Sequence, residues 1–332
     1  MTLHIILVAW ANTKNNHAGM YHLAKQIKET LNTKVKIYKQ PVWKSRYFGP
    51  FYRLYAILLS IYIRLTSQKE DIVWLMEYLL RSSEQTYMSN ILKGKVRLIG
   101  LAHMVPELIS KQYNPKEIVD NIHALDKLYV FGNSLKNYFI SQGVQKDIRV
   151  VHHYVDTDYY TKTLREDTSN LNVICMGNMQ RDYKHLYDII YKCPTVNFII
   201  CSGKNNIKDK FECLKNVQVI GFVEEHELKE LMQKADASLN VMKDTIGSNV
   251  IVTSLACGLP VITSDVGSIR DYVDDGLSGF LFNSDDEAVE IIKKLSENKS
   301  LIKIIGSNAR KKAEQISLNK FISFFKTDNN II

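Results

Sequence analysis

The amino-acid sequence predicts an α/β protein built from two Rossmann-like domains. Short apolar runs alternate with helical patterns along most of the 332 residues, which is typical of parallel βαβ units. A polar segment at 161–170 has no periodic apolar face and divides this alternation into two series of similar size. We therefore expect an N-terminal domain over 1–160, a C-terminal domain over 161–312 and a terminal segment over 313–332.

The first series predicts six strands and four helices. Strand patterns lie at 4–10, 34–38, 71–76, 96–101, 127–131 and 148–152, and helical patterns lie at 20–31, 51–65, 83–92 and 134–142. The opening run from Ile5 to Ala11 is as long as the apolar core of a signal peptide, but it lacks the basic segment that should precede such a core. We interpret it as a buried first strand.

The second series predicts six strands and six helices. Strand patterns lie at 172–176, 197–202, 217–220, 237–241, 260–263 and 279–282, and helical patterns lie at 185–191, 225–234, 249–257, 268–273, 286–297 and 301–315. Each half of the chain therefore predicts its own parallel sheet covered by helices.

The composition excludes several classes of protein. With 45% hydrophobic residues, 23% charged residues and six prolines, the chain is neither collagen-like nor disordered. Its five cysteines are odd in number and form no C-x-x-C pair, so we interpret them as ordinary thiols of a reducing compartment. No apolar stretch reaches about 18 residues, so we expect no transmembrane helix and a cytoplasmic protein.

Positive charge is concentrated in the first half of the chain. Residues 1–160 contain 21 Lys and Arg but only 12 Asp and Glu, and no acidic residue lies between Glu29 and Glu70. That window contains eight Lys and Arg interleaved with eight aromatic residues. Such a mixture suits an anionic membrane surface or a nucleic-acid backbone, but helical spacing of its apolar residues also suits a helix packed on a sheet.

Of these alternatives, the membrane surface gives a specific expectation for residues 38–64. We expect Leu54, Leu58 and Ile61 to pack inward, whereas Arg53 and the segment Arg46, Tyr47 and Phe48 face anionic lipid on the inner side of the membrane. Lys44 belongs to the same basic group. No nucleic-acid-binding motif accompanies the charge, so we do not expect a nucleic-acid partner.

Glycines cluster in the second half, where five of the 15 lie between Gly247 and Gly279. Gly247, Ser248 and Asn249 open a predicted helix, whose free N–H groups and dipole would suit a diphosphate. The polar turn 264–268 then lies at the carboxyl end of a buried strand, where ligands bind in open α/β sheets. We predict an anion-binding site here.

The same region resembles the donor-binding domain of retaining GT-B glycosyltransferases of family 4. The resemblance is carried by LACGLPVI at 255–262, DVGS at 265–268 and DYVDDGLSGFL at 271–281. VVHHYVDTDYY at 150–160 resembles the interdomain segment of that family, residues 177–184 its first C-domain loop and VIGFV at 219–223 its nucleobase pocket. The likeness covers about 150–295 and is weaker in the N-terminal half.

The resemblance implies the GT-B fold, with two domains facing a cleft and a last helix that returns to the N-domain. It implies a nucleotide-sugar donor on the C-domain, a glycan or lipid-linked acceptor on the N-domain and metal-independent transfer with anomeric retention. No cofactor is implied. The role would be the synthesis of a cell-surface polysaccharide or a glycolipid.

Several site residues follow from the resemblance. Lys184 matches the phosphate-contacting lysine of the family, Asn178 stands where an arginine is usual, and Arg181 would supply that charge. Phe222 and Val223 match the residues that line the nucleobase pocket. In the N-terminal half, Gly19 matches the glycine-rich loop, and His103 matches a histidine beside the reacting sugar.

The chain departs from the family at two positions. Members commonly carry two glutamates eight residues apart, and the matching residues here are Thr245 and Thr253, with Asp244 adjacent to the first. A threonine hydroxyl binds a ribose or sugar hydroxyl more weakly than a carboxylate does. This departure keeps open an alternative, a catalytically silent homologue that binds a glycan or another transferase.

Overall fold

A computed structural model describes residues 1–8, 16–41, 49–163 and 169–331. The chain divides into two compact units. The N-terminal unit comprises Met1–His152 together with Phe321–Ile332, and the C-terminal unit comprises His153–Lys320. The returning C-terminal helix predicted for the GT-B fold is therefore confirmed.

The N-terminal unit is built on a six-stranded parallel sheet with the order β2-β1-β3-β4-β5-β6. Its strands are β1 (Thr2–Val8), β2 (Lys34–Gln40), β3 (Ile72–Leu75), β4 (Arg97–Ala102), β5 (Lys127–Val130) and β6 (Ile148–Val150). Its helices are α1 (Met20–Thr30), α2 (Gly49–Thr66), α3 (Gln85–Leu92), α4 (Pro106–Ser110), α5 (Pro115–His123) and α6 (Asn133–Ser141). All six predicted strands are present, and β1 is buried along nearly its whole length, as a central parallel strand requires.

The C-terminal unit contains a second six-stranded parallel sheet with the order β12-β11-β10-β7-β8-β9. Its strands are β7 (Asn172–Met176), β8 (Asn197–Cys201), β9 (Val217–Ile220), β10 (Ala237–Asn240), β11 (Val261–Ser264) and β12 (Gly279–Phe282). Its helices are α7 (Tyr183–Tyr191), α8 (Glu225–Lys234), α9 (Asn249–Ala256), α10 (Asp285–Glu297) and α11 (Lys299–Gln315), and α12 (Leu318–Asp328) follows them. All six predicted strands are again present.

The helices differ from the prediction in one predicted region and in two helices that were missed. The segment 268–273 forms only a single 3₁₀ turn at Ile269–Asp271. Conversely, α4 and α5 were not predicted. The sequence nevertheless contains a signal for the start of α5, because Asn114 and Glu117 form a reciprocal capping box around Pro115.

The observed boundaries of the units differ from the expected 1–160, 161–312 and 313–332. Residues 153–160 pack with the C-terminal unit because the Arg310 guanidinium donates to the carbonyl oxygens of Thr157 and Tyr160 at 3.0 and 2.6 Å. The backbone also pairs there, since the N–H of Leu318 donates to the carbonyl of Val155 at 2.8 Å. Part of the predicted linker, 164–168, lies outside the described residues.

The predicted orientation of α2 is wrong. Leu54, Leu58 and Ile61 were expected to pack inward, but they are 51%, 58% and 44% exposed. The buried residues of α2 are Ala56, Ser60 and Ile63, and the helix contacts α3. Small residues at 56 and 60 allow the helix to pack closely on that side, which turns the larger leucines outward.

Part of the predicted membrane segment lies outside the described residues. This part comprises 42–48 and therefore includes Lys44, Arg46, Tyr47 and Phe48. No helix within the described ranges is long and apolar enough to cross a membrane.

Candidate functional site

The carboxyl edge of the C-terminal sheet has a topological switch point between β7 and β10. The connection from β7 leads to β8 on one side, whereas β10 adds to the other side. Ligands of open α/β sheets bind in the crevice outside the strand ends at such a point. The loops that follow β7 and β10 contain most of the site residues predicted from the sequence.

The loop after β7 is shaped by Gly177 and Arg181. Gly177 has a φ of +87°, and a Cβ at this position would lie 2.8 Å from the Arg181 guanidinium. Arg181 turns back onto its own loop, because its Nε donates to the Met176 carbonyl at 2.9 Å. Burial lowers the pKa of Arg181 to about 10, so its charge persists at neutral pH. Arg181 therefore adds positive charge and also holds the loop together.

Helix α7 begins in this loop and presents Lys184 in its first turn. Asp182 caps the helix by accepting from the N–H groups of Lys184 and His185 at 3.2 and 3.3 Å. The Lys184 side chain is exposed, and none of the described residues forms an ion pair with it. Its ammonium group is therefore available to an anion. Asn178, earlier in the loop, is also exposed.

The loop after β10 leads into α9, the predicted anion-binding helix. Gly247 has a φ of +101°, and a Cβ there would lie 2.3 Å from the Tyr272 hydroxyl, so the position requires glycine. Ser248 caps α9 by accepting from the N–H of Ile251 at 3.4 Å. Asn249 is the exposed first residue of the helix. The other first-turn N–H groups of α9 lie at its N-terminal end, which is the positive end of the helix dipole.

The two threonines at the family's glutamate positions are buried and hydrogen-bonded locally. Thr245 is 5% exposed, and its hydroxyl accepts from the N–H of Gly247 at 3.1 Å. Thr253 is 6% exposed, and its hydroxyl donates to the Asn249 carbonyl at 2.7 Å. Asp244 is half-buried and accepts from the N–H of Thr245 at 2.7 Å. Both hydroxyls thus support the loop and the first turns of α9.

Backbone hydrogen bonds join the loops after β7 and β10. The N–H of Asp182 donates to the Val241 carbonyl at 3.0 Å, and the N–H of Lys243 donates to the Gln180 carbonyl at 2.9 Å. The N-terminal ends of α7 and α9 therefore lie at one edge of the sheet.

A third loop, after β11, is attached to the same edge. The N–H of Ser268 donates to the Thr245 carbonyl at 2.7 Å. A Cβ at Gly267 would lie 2.1 Å from that carbonyl oxygen, so the close approach of the two loops requires glycine.

The predicted nucleobase residues follow β9 on the same sheet. Phe222 is 61% exposed, and Val223 is half-buried. An exposed aromatic ring at a strand end offers a flat apolar surface on which a base can stack. Asn178, in the loop after β7, approaches the loop after β8. Its side-chain amide nitrogen would lie 3.4 Å from a Cβ at Gly203.

The N-terminal sheet has its own switch point, between β1 and β3. Gly19 caps α1 in the connection after β1 and has a φ of +84°, which favours glycine. Residues 9–15 of the same connection lie outside the described residues. His103 follows β4, the neighbour of β3, so it lies at the same edge of the sheet.

His103 pairs with Glu77, a residue that the sequence analysis did not select. The His103 Nε2 lies 2.6 Å from the Glu77 Oε2, and the Glu77 side chain is only 1% exposed. Burial by itself lowers the pKa of His103, but the charge and hydrogen bond of Glu77 outweigh burial and raise the pKa above its ordinary value. The pair therefore favours an imidazolium whose orientation is set by a buried carboxylate.

The Glu77 backbone is held by a buried polar network. The N–H of Glu77 donates to Gln85 Oε1 at 2.8 Å, and the Ser83 hydroxyl donates to the Glu77 carbonyl at 2.8 Å. The Gln85 amide also donates to the Gln40 side chain at 3.1 Å. One sequence signal could have identified Glu77, since it is the first charged residue after the apolar strand 72–76.

A cluster of the C-terminal unit has side chains that can ligate a metal, namely the exposed His185 and the half-buried Asp188 and Asp285. The His185 Nδ1 already lies 3.0 Å from an Asp285 oxygen, and this hydrogen bond raises the pKa of His185. The cluster is therefore accounted for as an ion pair on the protein surface.

The chain contains two α/β units, each built on a parallel six-stranded sheet, and glycine-dependent loops meet at the switch point of the second. This architecture is the GT-B fold of glycosyltransferases. Residues 164–312 match the family model described as Glycosyl transferases group 1. The predicted resemblance of this segment to glycosyltransferases is thereby confirmed, whereas family 4 and anomeric retention stay predictions.

Several known proteins are similar to this chain in sequence or in structure. A 41.2 kDa protein of the cps region of Klebsiella pneumoniae is 24% identical over 260 residues, covering 71% of this chain and 72% of that protein. Sucrose-phosphate synthase of Thermosynechococcus elongatus has a TM-score of 0.80 at 11% identity, over 99% of this chain and 98% of that one. The Anabaena protein HepE, solved with UDP-glucose, has a TM-score of 0.73 at 14% identity over 100% of both chains. At such identities the structural likeness shows the fold.

Proposed function

We propose that this protein is a retaining glycosyltransferase that moves a sugar from a nucleotide-diphosphate sugar to a glycan or lipid-linked acceptor. One observation carries the proposal: the capped N-termini of α7 and α9 lie on joined loops at the switch point, within the segment that matches the family model. The HepE structure contains UDP-glucose, which is a donor of this class. The product would enter a cell-surface polysaccharide or a glycolipid.

In this proposal, the donor diphosphate binds the N-terminal end of α9 and Lys184. Arg181 adds a second positive charge, so protein groups rather than a metal ion neutralise the leaving diphosphate. Gly247 and Ser248 allow the backbone to approach the phosphates, whereas Phe222 and Val223 contact the base. Turnover should persist in the presence of a chelator. If a chelator abolishes turnover and added Mg²⁺ restores it, this account is contradicted.

The donor site is tested by a thermal-stability screen of nucleotide sugars. A donor at 100 times its Kd should stabilise the fold by about 2.7 kcal/mol. Lys184→Ala should weaken donor binding by about 1.5–3 kcal/mol, the typical contribution of a charged hydrogen bond. Lys192→Ala is the matched control, because it removes an ammonium from the opposite end of α7. Donor affinity in Lys184→Ala equal to that of the wild type would contradict the placement.

His103 is proposed to hydrogen-bond the sugar that undergoes transfer, with Glu77 as the group that orients it. Since Glu77 raises the pKa of His103, transfer should decline as pH rises through that raised pKa. Glu77→Gln should move the decline to lower pH, because a neutral amide does not stabilise the imidazolium. An unchanged pH profile of kcat in Glu77→Gln would contradict this role.

Retention is tested on the product. The anomeric configuration of the transferred sugar, measured by proton NMR at early times, should equal that of the donor. An inverted product would overturn this part of the proposal while leaving donor binding intact.

A second candidate is a catalytically silent homologue that binds a glycan or a partner transferase. It is favoured by Thr245 and Thr253, whose hydroxyls are engaged with the backbone of the loop and of α9. Nucleotide-sugar hydrolysis without acceptor separates the two candidates. Donor-dependent stabilisation with neither hydrolysis nor transfer would support the silent homologue.

A further inference from the structure

Helix α2 exposes six large apolar side chains to solvent. They are Phe51, Leu54, Leu58, Ile61, Tyr62 and Leu65, each between 44% and 79% exposed, and we refer to them as the α2 face. Every other helix in the described ranges exposes at most one large apolar side chain. Single exposed apolar residues are ordinary, whereas a contiguous group marks an interaction site.

The α2 face forms one continuous stripe. Its members follow each other at intervals of three or four residues, apart from the adjacent pair Ile61 and Tyr62, so they lie on one side of the helix. The 18 residues of α2 span about 27 Å at 1.5 Å per residue. Ala56, Ser60 and Ile63 attach the other side to the protein.

Basic side chains line the margins of this stripe. The Arg53 guanidinium stacks on Tyr87 at 4.6 Å, and the Lys36 ammonium lies 5.8 Å from the ring of Tyr62. Arg64 also projects from α2, and its guanidinium donates to the Ile91 carbonyl. No acidic residue occurs from 30 to 69, so the helix and the neighbouring strand β2 contribute only positive charge.

We propose that the α2 face binds the surface of an anionic lipid bilayer. The aliphatic side chains would enter the boundary between headgroups and acyl chains, the tyrosines would lie at headgroup level, and the flanking cations would contact anionic headgroups. This arrangement reverses the orientation predicted from the sequence, in which the leucines packed inward. The proposal does not depend on the donor site.

Charge favours lipid over two other occupants. In a symmetric dimer the same patch would meet itself, so cations of both copies would face each other with no carboxylate from α2 or β2 between them. A nucleic acid would pair with the cations but would leave the leucines and isoleucine without an apolar partner. An anionic bilayer satisfies the charged and the apolar parts together.

The test is co-sedimentation with vesicles of phosphatidylcholine alone or with 30% phosphatidylglycerol, at low and high salt. The wild type should bind the anionic vesicles at low salt and be partly released at high salt. The triple variant Leu54→Gln/Leu58→Gln/Leu65→Gln should bind at least about a hundredfold more weakly, since each leucine loses much of its apolar transfer energy. Glutamine retains helix propensity, so α2 should remain folded.

Two further variants sharpen the test. Arg53→Gln/Arg64→Gln should remove most of the preference for anionic lipid, whereas Ile140→Gln, which changes an exposed residue of α6, should bind like the wild type. Sedimentation velocity without lipid should show a monomer. The proposal is overturned if the wild type ignores anionic vesicles, if the triple variant binds them equally well, or if the wild type is a dimer that the triple variant dissociates.

Discussion

Helices α2 and α12 are both rich in large apolar residues, but they meet different surroundings. The sequence of each has helical periodicity and several aromatic side chains. In α12, Phe321, Ile322 and Phe325 are at most 7% exposed, whereas the α2 face is at least 44% exposed. Periodicity therefore predicts that a helix has an apolar face but does not predict what covers it.

The apolar face of α12 is covered by aromatic residues of the N-terminal sheet. Phe325 stacks on Trp74 of β3 with ring centroids 4.3 Å apart and contacts Tyr129 of β5 edge-on. The end of the helix is held by polar contacts as well, because the Lys127 ammonium donates to Asp328 Oδ2 at 2.5 Å. Aromatic stacking and an ion pair together anchor the terminal segment.

The largest effect should come from removing the central ring of this contact. Phe325→Ala should reduce the free energy of unfolding by about 3–5 kcal/mol, because it leaves a cavity against Trp74. Phe324→Ala is the matched control, since its ring is 40% exposed. Denaturant titration measures both, and equal losses in the two variants would show that α12 is not anchored as described.

A smaller effect should come from the ion pair at the end of α12. Burial alone would raise the pKa of Asp328, but hydrogen bonds from Lys127 and Tyr129 outweigh it and lower the pKa. The pair therefore stabilises the fold above the ordinary pKa of an aspartate, and this contribution is lost as pH falls through the lowered pKa. Asp328→Asn should cost about 1–3 kcal/mol at pH 7 and less at acidic pH.

The control for the ion pair is Asp286→Asn, which breaks an exposed pair with Lys192. That pair has side-chain exposures of 44% and 81%, so solvent screens it and its loss should cost much less than the loss of the Asp328 pair. If Asp328→Asn costs as much at acidic pH as at pH 7, ionisation of Asp328 is not the source of the stability.

The smallest effect on stability is expected on α2. Leu58→Gln should change the free energy of unfolding by no more than about 0.5 kcal/mol, because the side chain is 58% exposed in the folded chain. Thermal denaturation without lipid measures this change. A loss near that of Phe325→Ala would mean that the α2 face is covered within the protein, and the contrast between the two helices would fail.

Sequence patterns predicted the strands better than the helices. All twelve strands were predicted. Central strands such as β1 and β3 are buried on both faces and appear as apolar runs, whereas the edge strand β2 alternates apolar and polar residues. Helices α4 and α5 were missed. Helix α4 is only five residues long, and α5 buries just Ile118 and Ile122, so the periodic signal of both is weak.

Only part of the candidate site could be predicted from the sequence. Gly247, Gly267 and Lys184 stand in local motifs. The structure places the two glycines on loops and Lys184 in the first turn of α7, all at one edge of the second sheet. Glu77 carries no motif and lies 26 positions from His103, so only the adjacency of β3 and β4 brings the two together. The local roles of Thr245 and Thr253 likewise depend on backbone geometry.

The sequence by itself determined the α/β class, the two sheets and the loops that bind a ligand in such folds, because strand burial and glycine-dependent turns are local properties of the chain. Tertiary structure decided the features that depend on what each side chain meets. These are the pairing of His103 with Glu77, the burial of Phe325 against Trp74 and the outward turn of Leu54 and Leu58. Contact between distant segments depends on strand order and helix rotation, and an amphipathic pattern constrains neither until the chain has packed.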